Sequence, residues 1–405
     1  MLKKKRKAAV LAALAAWVLL GPFGFGVSAA KAEAPGVSAQ SAVLISAGDG
    51  AVVFEKNAHE RLAMASTTKI MTALLTLEEA ARCGDPALEI TGEMVRVEGS
   101  SMGLQAGNRL TLTNLTAGML LASGNDAANS AALYLGGSQE AFADLMNARA
   151  QEIGMTDTHF VTPSGLDDEE HYSTAYDMAL LAREALRNPE FARIAGSASL
   201  QVEFLEPAQK VTYSNHNKLL RLYEGCIGVK TGFTKKAGRC LVSAARREDT
   251  VLIAVTLNAP DDWDDHMAML DYGFQRVKTL SLEGGELPDA LALAGGGEVS
   301  LRAGEGISLT LAAEEAEAVT RRVLLPKFLY APVEEGDRVG RVQYLAGGQE
   351  IYSVPILAAE RAEALPQKEP GFWEGLWETV QSWFGAKPPK EKNKGEIICG
   401  AEVCR

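Results

Sequence analysis

Three short motifs of the chain carry hydroxyl and amino groups whose types and spacing suit nucleophilic attack on an acyl group. In chain order they are Ser66-Thr67-Thr68-Lys69, Ser123-Gly124-Asn125 and Lys230-Thr231-Gly232. A serine hydroxyl attacks a carbonyl carbon only after a neighbouring base takes its proton. A lysine acts as that base when burial or another cation lowers its pKa. Residues i and i+3 share one face of a helix, so the Lys69 amine can reach the Ser66 hydroxyl.

Taken singly, each motif has an ordinary structural interpretation. Ser66 can cap a helix while Lys69 stays in solvent. Residues 123–125 can form a break between helices, and Lys230-Thr231-Gly232 can be a strand end. Together the motifs predict more, because they occur at a helix start, an inter-helix turn and a strand of one chain. The glycine lets a substrate backbone approach the strand edge, where the lysine and threonine offer donors to a carboxylate.

The elements around the motifs predict one sheet with a helical lobe inserted into it. A strand hairpin comes first, helices follow and strands come last, which makes the first and last strands neighbours. From about residue 283 short alternating strands between Gly-rich turns predict a small all-β domain over 283–360. Helices are predicted over 66–82, 110–134 with an interruption at Ser123-Gly124-Asn125, 141–153 and 174–186, and strands within 40–55 and over 227–232, 240–245 and 251–257.

The first residues of the chain predict export. Residues 1–34 have the pattern of a signal peptide, with basic residues at 3–7, an apolar run over 8–20 and the small-x-small sequence Ala30-Lys31-Ala32. A retained membrane anchor is the alternative, since the apolar stretch is nearly long enough to span a bilayer. Either interpretation places the body of the protein outside the cytoplasm.

The last residues of the chain predict contact with a membrane. After a charged linker over 361–371, apolar side chains recur at helical spacing, and three of them are tryptophans: Phe372, Trp373, Leu376, Trp377, Val380, Trp383 and Phe384. Indole rings favour the membrane interface, so we predict an amphipathic helix that lies in it. Its polar face is acidic rather than basic. Docking of the stripe on the β domain is the alternative.

Charge and motif content exclude several classes of function. The 405-residue chain has a formal net charge of −12, and removing residues 1–34, with six basic and one acidic side chain, leaves −17. An acidic body argues against nucleic-acid binding, which needs a basic surface. The sequence holds no zinc-type Cys/His spacing, Walker loop or dinucleotide fingerprint, so we expect neither a metal nor another cofactor.

The five cysteines permit disulfides in an exported chain but do not predict a disulfide scaffold. Cys399 and Cys404 are near enough in sequence to close a small loop. Cys226 and Cys240 do not face each other across a simple hairpin, so we expect no bridge between them. The odd count leaves at least one thiol unpaired, for which Cys83 is the candidate.

The combination of motifs resembles the low-molecular-mass penicillin-binding proteins, and specifically the D-alanyl-D-alanine carboxypeptidases. The resemblance extends to LLASGNDAANSAALYLGG, HFVTPSGLDDEEHYSTAYDMALLAREAL and GVKTGFTKKAGRCLVSAA, and covers nearly all of the chain after the signal. It implies an α/β (α+β) catalytic domain of the β-lactamase/transpeptidase type over 35–280, with an antiparallel sheet and a helical lobe. An all-β sandwich over 283–360 would follow, and residues 361–405 would hold the linker, a membrane-associated helix and a cysteine-containing tail.

The resemblance also implies a serine-type enzyme that removes the terminal D-alanine from peptidoglycan stem peptides. Ser66 would be acylated by the carbonyl of the penultimate D-alanine, and Lys69 would be the general base. Ser123 would relay protons, while Asn125 would orient the substrate and Lys69. β-Lactams would acylate the same serine, and no cofactor is implied.

The third motif and the residue after it would bind the substrate. Lys230 would keep the pKa of Lys69 low and attract the substrate carboxylate, to which Thr231 would donate a hydrogen bond. The backbone N–H groups of Ser66 and Phe233 would form the oxyanion hole.

Two departures from the family pattern limit what carries over. The middle residue of the second motif is Gly124 rather than Asp, which fits the carboxypeptidase branch. Several family members carry an arginine beyond the Lys-Thr-Gly strand that helps to bind the substrate carboxylate. Here the corresponding region reads Asp261-Asp262-Trp263-Asp264-Asp265-His266, which leaves that contact without a residue.

Three alternative functions remain open at this point. A class A β-lactamase needs a Glu-activated water, and the segment from Asp167 to Glu170 lacks the Glu-x-x-Leu-Asn pattern, so we expect slow deacylation after penicillin. A transpeptidase differs only in using an amine instead of water to resolve the acyl-enzyme. A non-catalytic peptidoglycan-binding scaffold would keep the fold, but the intact set of motifs argues against it.

Overall fold

The computed structural model describes residues 33–363. Most of the predicted signal peptide lies outside the described residues, as do the predicted amphipathic helix and both Cys399 and Cys404. The chain divides into two compact units. Within the described residues the first holds the chain up to Glu283 together with Gly306–Arg321 and Tyr344–Tyr352, and the second holds the remainder.

The first unit begins with a strand hairpin, continues into a helical region and returns to strands, which is the predicted order. The helices of the described chain are α1 (Lys69–Cys83), α2 (Leu112–Leu121), α3 (Asn125–Gly136), α4 (Gln139–Ile153), α5 (Ala175–Ala185), α6 (Pro189–Ala195), α7 (Leu219–Leu222), α8 (Asp262–Arg276) and α9 (Ala313–Glu317). The strands up to residue 257 are β1 (Ser41–Ser46), β2 (Val52–Lys56), β3 (Ala87–Glu89), β4 (Arg109–Thr111), β5 (Ser199–Phe204), β6 (Gln209–Ser214), β7 (Cys226–Thr234), β8 (Gly238–Arg247) and β9 (Thr250–Leu257).

A five-stranded antiparallel sheet forms the centre of the first unit, in the order β2-β1-β9-β8-β7. The predicted neighbourhood of the first and last strands is therefore confirmed by the pairing of β1 with β9. All six residues of β1 are buried because apolar groups cover both faces of the sheet. Val43 and Ile45 join the core shared with the helical lobe, whereas Ala42 and Leu44 pack with Met269 of α8.

The helical lobe follows the predicted periodicity closely. In α1 the residues Ile70, Leu74 and Leu77 are buried at helical spacing. Helices α2 and α3 are separated at residues 122–124, where Ser123 has a φ of 58°. A side chain in this left-handed region interrupts a helix, so the predicted break is confirmed. The helix that precedes it begins at Leu112, not at Leu110, which belongs to β4.

Helix α8 was not predicted, because its run of aspartates was interpreted only as the counterpart of an arginine-bearing region. Three acidic residues of its first turn face the positive end of the helix dipole. The buried side of α8 carries Asp265, His266, Met269 and Gly273 at helical spacing. The hairpins β3-β4 and β5-β6 were also not predicted.

Strands dominate the chain from residue 283 onward, as predicted from its alternating pattern, and one further strand precedes them. They are β10 (Val277–Leu282), β11 (Ala290–Ala292), β12 (Glu298–Ala303), β13 (Ile307–Ala312), β14 (Thr320–Leu324), β15 (Arg338–Ala346) and β16 (Gln349–Ala358). Strand β10 pairs with β13, and a five-stranded sheet has the order β11-β12-β16-β15-β14. None of the helices within residues 33–363 is long and apolar enough to cross a bilayer.

Three cysteines lie in the described part of the chain, and all are free thiols. Cys226 is opposite Ala245 and Cys240 is opposite Gly232 in the β7-β8 ladder. The predicted absence of a bridge between these two cysteines is confirmed. Cys83 is an exposed thiol, as expected.

His266 fastens α8 to the sheet. Its Nδ1 lies 2.6 Å from Ser243 Oγ of β8, and its Nε2 lies 2.9 Å from Thr256 Oγ1 of β9. The side chain is fully buried, and this burial lowers its pKa to about 3.

Acid should therefore weaken the fold through His266. A histidine of the unfolded chain binds a proton near pH 6.5, whereas folded His266 stays neutral until about pH 3, so its contribution is present above pH 6.5 and is lost as the pH falls. Between pH 6.5 and 4.5 this linkage should remove about 2 kcal/mol from the free energy of unfolding. We expect the free energy of unfolding of His266→Gln, measured by urea denaturation, to fall by about 2 kcal/mol less than that of wild type over this pH range. Equal losses in the two proteins would contradict the prediction.

Candidate active site

The Ser66 hydroxyl and the Lys69 amine meet at the start of α1. Ser66 lies in a single 3₁₀ turn over Ala65–Thr68, and Lys69 is the first residue of the α-helix. Lys69 Nζ donates to Ser66 Oγ at 2.9 Å. The interpretation of Ser66 as a helix cap with a solvated lysine was wrong, because no side chain caps this helix start and Lys69 is fully buried. The 3₁₀ turn instead places the hydroxyl toward the amine.

Three elements supply the acceptors around Lys69 Nζ. Besides Ser66 Oγ, it donates to Asn125 Oδ1 at 2.6 Å and to the carbonyl oxygen of Ser164 at 2.7 Å. The pKa of Lys69 is lowered well below 10.5, mainly by burial and then by the charge of Lys230, while Asp126 opposes the shift. A neutral amine keeps two N–H groups for Asn125 and Ser164, and its lone pair then faces Ser66.

A second buried amine lies behind Ser123. Lys230 Nζ, on β7, donates to Ser123 Oγ at 3.0 Å and to the carbonyl oxygen of Thr231 at 2.8 Å. Lys230 is only 1% exposed, and burial lowers its pKa to about 7. The strand that carries it continues through Thr234, so the third motif lies within β7 rather than at its end.

Asn125 and Asp126 attach a loop to the start of α3. Asn125 Nδ2 donates to the carbonyl oxygen of Glu98, and its backbone N–H donates to that of Ser100. The Asp126 carboxylate, 3% exposed, accepts from the hydroxyl of Ser101 and from backbone N–H groups of residues 102–104. Sequence reasoning missed Asp126, whose only local signal was an acidic residue in a first helical turn.

His171 holds the loop that supplies the Ser164 carbonyl. Its Nδ1 accepts from the backbone N–H of Val161 at 2.9 Å, so Nε2 carries the proton and donates to Thr68 Oγ1 at 2.9 Å. Burial is the main cause that lowers the pKa of His171, to about 4. This side chain was also missed, although it lies within a stretch that shows the family resemblance.

Two glycines permit the close approach of backbone segments to Ser66. Gly165 has a φ of 83°, and a Cβ there would lie 1.8 Å from the Ala65 carbonyl oxygen. A Cβ on Gly232 would lie 3.0 Å from the Ser66 nitrogen. Any side chain at either position would therefore push the loop or strand β7 away from the serine. Strand β7 is the edge of its sheet, which leaves alternate backbone N–H groups free to face the cleft.

The cleft beside Ser66 has a volume of about 320 Å³. Five of the predicted site residues line it, namely Ser66, Ser123, Thr231, Gly232 and Phe233. Lys69, Asn125 and Lys230 lie behind this surface and are each buried. The lining also includes residues that sequence reasoning missed, namely Ser100, His216, Lys218 and Arg239. The structure thus brings the three motifs to one place.

The acidic stretch 261–266 separates into different roles. Asp262 and Trp263 line the cleft. Asp265 accepts from the backbone N–H groups of Ser38 and Ala39, and His266 lies in the core. Within residues 33–363 no group of three or more His, Cys, Asp or Glu side chains is arranged to hold a metal ion.

Known proteins are similar to this chain over most of its length. A sequence family described as D-alanyl-D-alanine carboxypeptidase matches residues 28–261, and one described as penicillin-binding protein 5, C-terminal domain, matches residues 284–364. The D-alanyl-D-alanine carboxypeptidase DacF of Bacillus subtilis is 32% identical, over 85% of this chain and 90% of its own length. DacC of Escherichia coli is also 32% identical, over 87% and 91%.

Solved structures agree with the sequence comparisons. Penicillin-binding protein 5 of Haemophilus influenzae superposes with a TM-score of 0.66 at 27% identity, covering 82% of this chain and 99% of its own. DacD of Francisella tularensis gives a TM-score of 0.62, covering 85% and 100%. These similarities confirm the predicted fold class, a mixed α/β catalytic domain followed by a C-terminal β domain.

The loop over residues 98–104 should depend on Asp126. Replacing Asp126 by Ala leaves the backbone N–H groups of 102–104 without their acceptor, and we expect a loss of about 2 to 4 kcal/mol in the free energy of unfolding. Amide hydrogen exchange should show that protection of Met102, Gly103 and Leu104 falls. Asp168→Ala is the control, because its carboxylate accepts from one exposed backbone N–H, that of Glu170. Unchanged protection in Asp126→Ala would contradict this account.

Proposed function

Because the chain belongs to the D-alanyl-D-alanine carboxypeptidase family, we propose that it removes the terminal D-alanine from peptidoglycan pentapeptide stems through an acyl-enzyme on Ser66. The observation that carries this proposal is the distance of 2.9 Å between Lys69 Nζ and Ser66 Oγ, with the amine buried. Burial supplies the lowered pKa that lets an amine act as a base near neutral pH.

Acylation begins with neutral Lys69. Its lone pair takes the proton of the Ser66 hydroxyl as the oxygen attacks the carbonyl carbon of the penultimate D-alanine. The peptide bond then breaks, and Ser123 gives its hydroxyl proton to the leaving amine of the terminal D-alanine. The proton that Lys69 took from Ser66 then passes to the Ser123 oxygen, so that both Lys69 and Ser123 return to their starting state, while Lys230 holds the Ser123 hydroxyl by a hydrogen bond of 3.0 Å. Asn125 holds both Lys69 and the substrate in position.

Water completes the reaction: neutral Lys69 takes its proton as the water oxygen attacks the ester carbon, and the amine returns that proton to Ser66 Oγ as the ester bond breaks. The developing oxyanion is stabilised by the backbone N–H groups of Ser66 and Phe233, and Gly232 permits this approach of β7 to the serine. Losing one such donor typically costs about 3 kcal/mol of transition-state stabilisation. β-Lactams form the same ester on Ser66, and no metal or cofactor takes part.

The remainder of the chain is proposed to place this reaction at the cell envelope. Residues 1–34 direct export, and the catalytic domain covers 35–280. The β domain covers 283–360, and the tail over 361–405 carries the helix that lies in the membrane interface. Peptidoglycan lies outside the cytoplasm, which supports the extracytoplasmic location.

Release of D-alanine from diacetyl-lysyl-D-alanyl-D-alanine tests the function directly. Wild-type protein should release it, and Ser66→Ala should reduce kcat by at least about a thousandfold because the nucleophile is lost. Ser138→Ala is a matched control, since that hydroxyl caps α4 and does not line the cleft. If the folded wild-type protein leaves the peptide intact, the proposal fails. Mass spectrometry of muropeptides should show tetrapeptides without new cross-links.

The pH dependence of acylation tests Lys69 as the base. Only the neutral amine accepts the serine proton, so acylation by a fluorescent penicillin should rise with pH and level off well below pH 10.5. Lys230→Gln removes a nearby cation that lowers the pKa of Lys69. The rising limb should therefore move to higher pH in this variant.

Lys235→Gln is the control for the loss of a lysine, because Lys235 is exposed at the turn after β7. We expect the acylation rate of this variant to rise with pH over the same range as that of wild type. A limb at the same pH in wild type and Lys230→Gln, or one that moves to lower pH, would refute the coupling between the two lysines.

A further inference from the structure

Several residues that line the cleft have no part in acyl transfer. His216, Lys218 and Arg239 add cationic or titratable groups to the lining, and Asp262 is its one carboxylate. The terminal carboxylate of a peptide substrate needs a cation that it can touch. Lys230 does not line the cleft, and its amine already donates to Ser123 and to the Thr231 carbonyl.

Strand register places Arg239 next to Thr231. In the β7-β8 ladder Thr231 is opposite Leu241, and Phe233 is opposite Arg239. Paired residues of an antiparallel ladder, and residues two apart on one strand, project from the same face of the sheet. Arg239 is therefore the diagonal neighbour of Thr231 on one face, within reach of a long side chain.

An ion pair fixes the guanidinium of Arg239 in the cleft. Its Nε and Nη2 both donate to Asp262 Oδ1, at 3.0 and 2.6 Å. Its Cζ lies 5.7 Å from the ring centre of Trp263, whose ring also has Lys218 Nζ at 6.0 Å. The Asp262 side chain is 4% exposed, whereas that of Arg239 is 42% exposed. The buried carboxylate holds one edge of the guanidinium, and the hydrogen bonds within residues 33–363 leave Nη1 for another acceptor.

We propose that Arg239 is the residue that recognises the C-terminal carboxylate of the substrate, together with the hydroxyl of Thr231. This inference rests on the proposed carboxypeptidase function and deepens it. A guanidinium presents five donors in a planar fork, so one side can bind Asp262 while the other binds a ligand carboxylate. Asp262 is then a positioning residue. The acidic stretch 261–266 holds no arginine for this contact, and Arg239 of strand β8 supplies the cation.

The test compares two substrates that differ only in the terminal group: diacetyl-lysyl-D-alanyl-D-alanine and the same peptide with a C-terminal amide. Arg239→Gln should lower kcat/KM for the acid by about 10- to 100-fold, the range expected for loss of a charge-assisted hydrogen bond. Its kcat/KM for the amide should stay within about twofold of wild type. Arg239→Lys keeps the positive charge but not the planar guanidinium, so its kcat/KM for the acid should fall less than that of Arg239→Gln.

Arg247→Gln is the matched control. Arg247 lies on the same strand, is ion-paired with Asp271 and is 45% exposed, but it does not line the cleft. It should keep the wild-type preference for the acid. Because Arg239→Gln leaves the buried Asp262 without its partner, the double variant Arg239→Gln/Asp262→Asn removes the pair together. It should lose the same preference at a melting temperature near that of wild type.

The outcomes separate the two proposals. If wild-type protein releases no D-alanine, the function itself fails. If wild type is active and the folded Arg239 variants keep the full preference for the acid over the amide, the assignment of Arg239 is overturned. An equal loss with both substrates also overturns it, because that result shows a structural role.

Discussion

The amine of Lys69 has to be buried and still have acceptors on three sides, and the geometry of the cleft follows from that requirement. Burial removes water from a charged group and so lowers its pKa, which provides the base. A buried amine without partners would be costly. Ser66, Asn125 and Ser164 supply those partners from three separate parts of the chain. Attachment of α3 and of the loop before His171 to the start of α1 is therefore also what creates the base.

Much of the fold could be predicted because its signals are local and periodic. Alternation and turn residues mark β1 and β2, and the buried spacing of α1 is visible in sequence. The order of elements then restricts the sheet to one in which β1 and β9 are neighbours. Helix α8 was not predicted although its apolar residues recur at helical spacing, because its aspartates were interpreted only as a departure from the family pattern. The short hairpins β3-β4 and β5-β6 have too few residues to show a period.

The sequence predicts the part of the candidate site in which the distance between two side chains follows from their spacing along the chain. Ser66 and Lys69 are three residues apart, so their meeting follows from helical geometry. Asp126 and His171 accept hydrogen bonds from backbone N–H groups of loops. The path of a loop does not follow from residue spacing, so these two roles could not be predicted from the sequence. Arg239 gains its place from the register between β7 and β8, which only the folded ladder defines.

The same site concentrates features that oppose folding. Lys69 and Lys230 are both buried, and Ala65 and Ser123 have φ values of 49° and 58°, each of which costs of order 1 to 3 kcal/mol. Such costs persist only where the surroundings fix the conformation. Asp126 and the Gly165 turn do so here through backbone contacts rather than through the reacting groups. Asn125 serves both purposes, because it binds Lys69 and also the carbonyl of Glu98. The side-chain hydrogen bonds of Asp126 go to residues 101–104 and to the start of its own helix, so its contribution to stability can be separated from the chemistry by mutation.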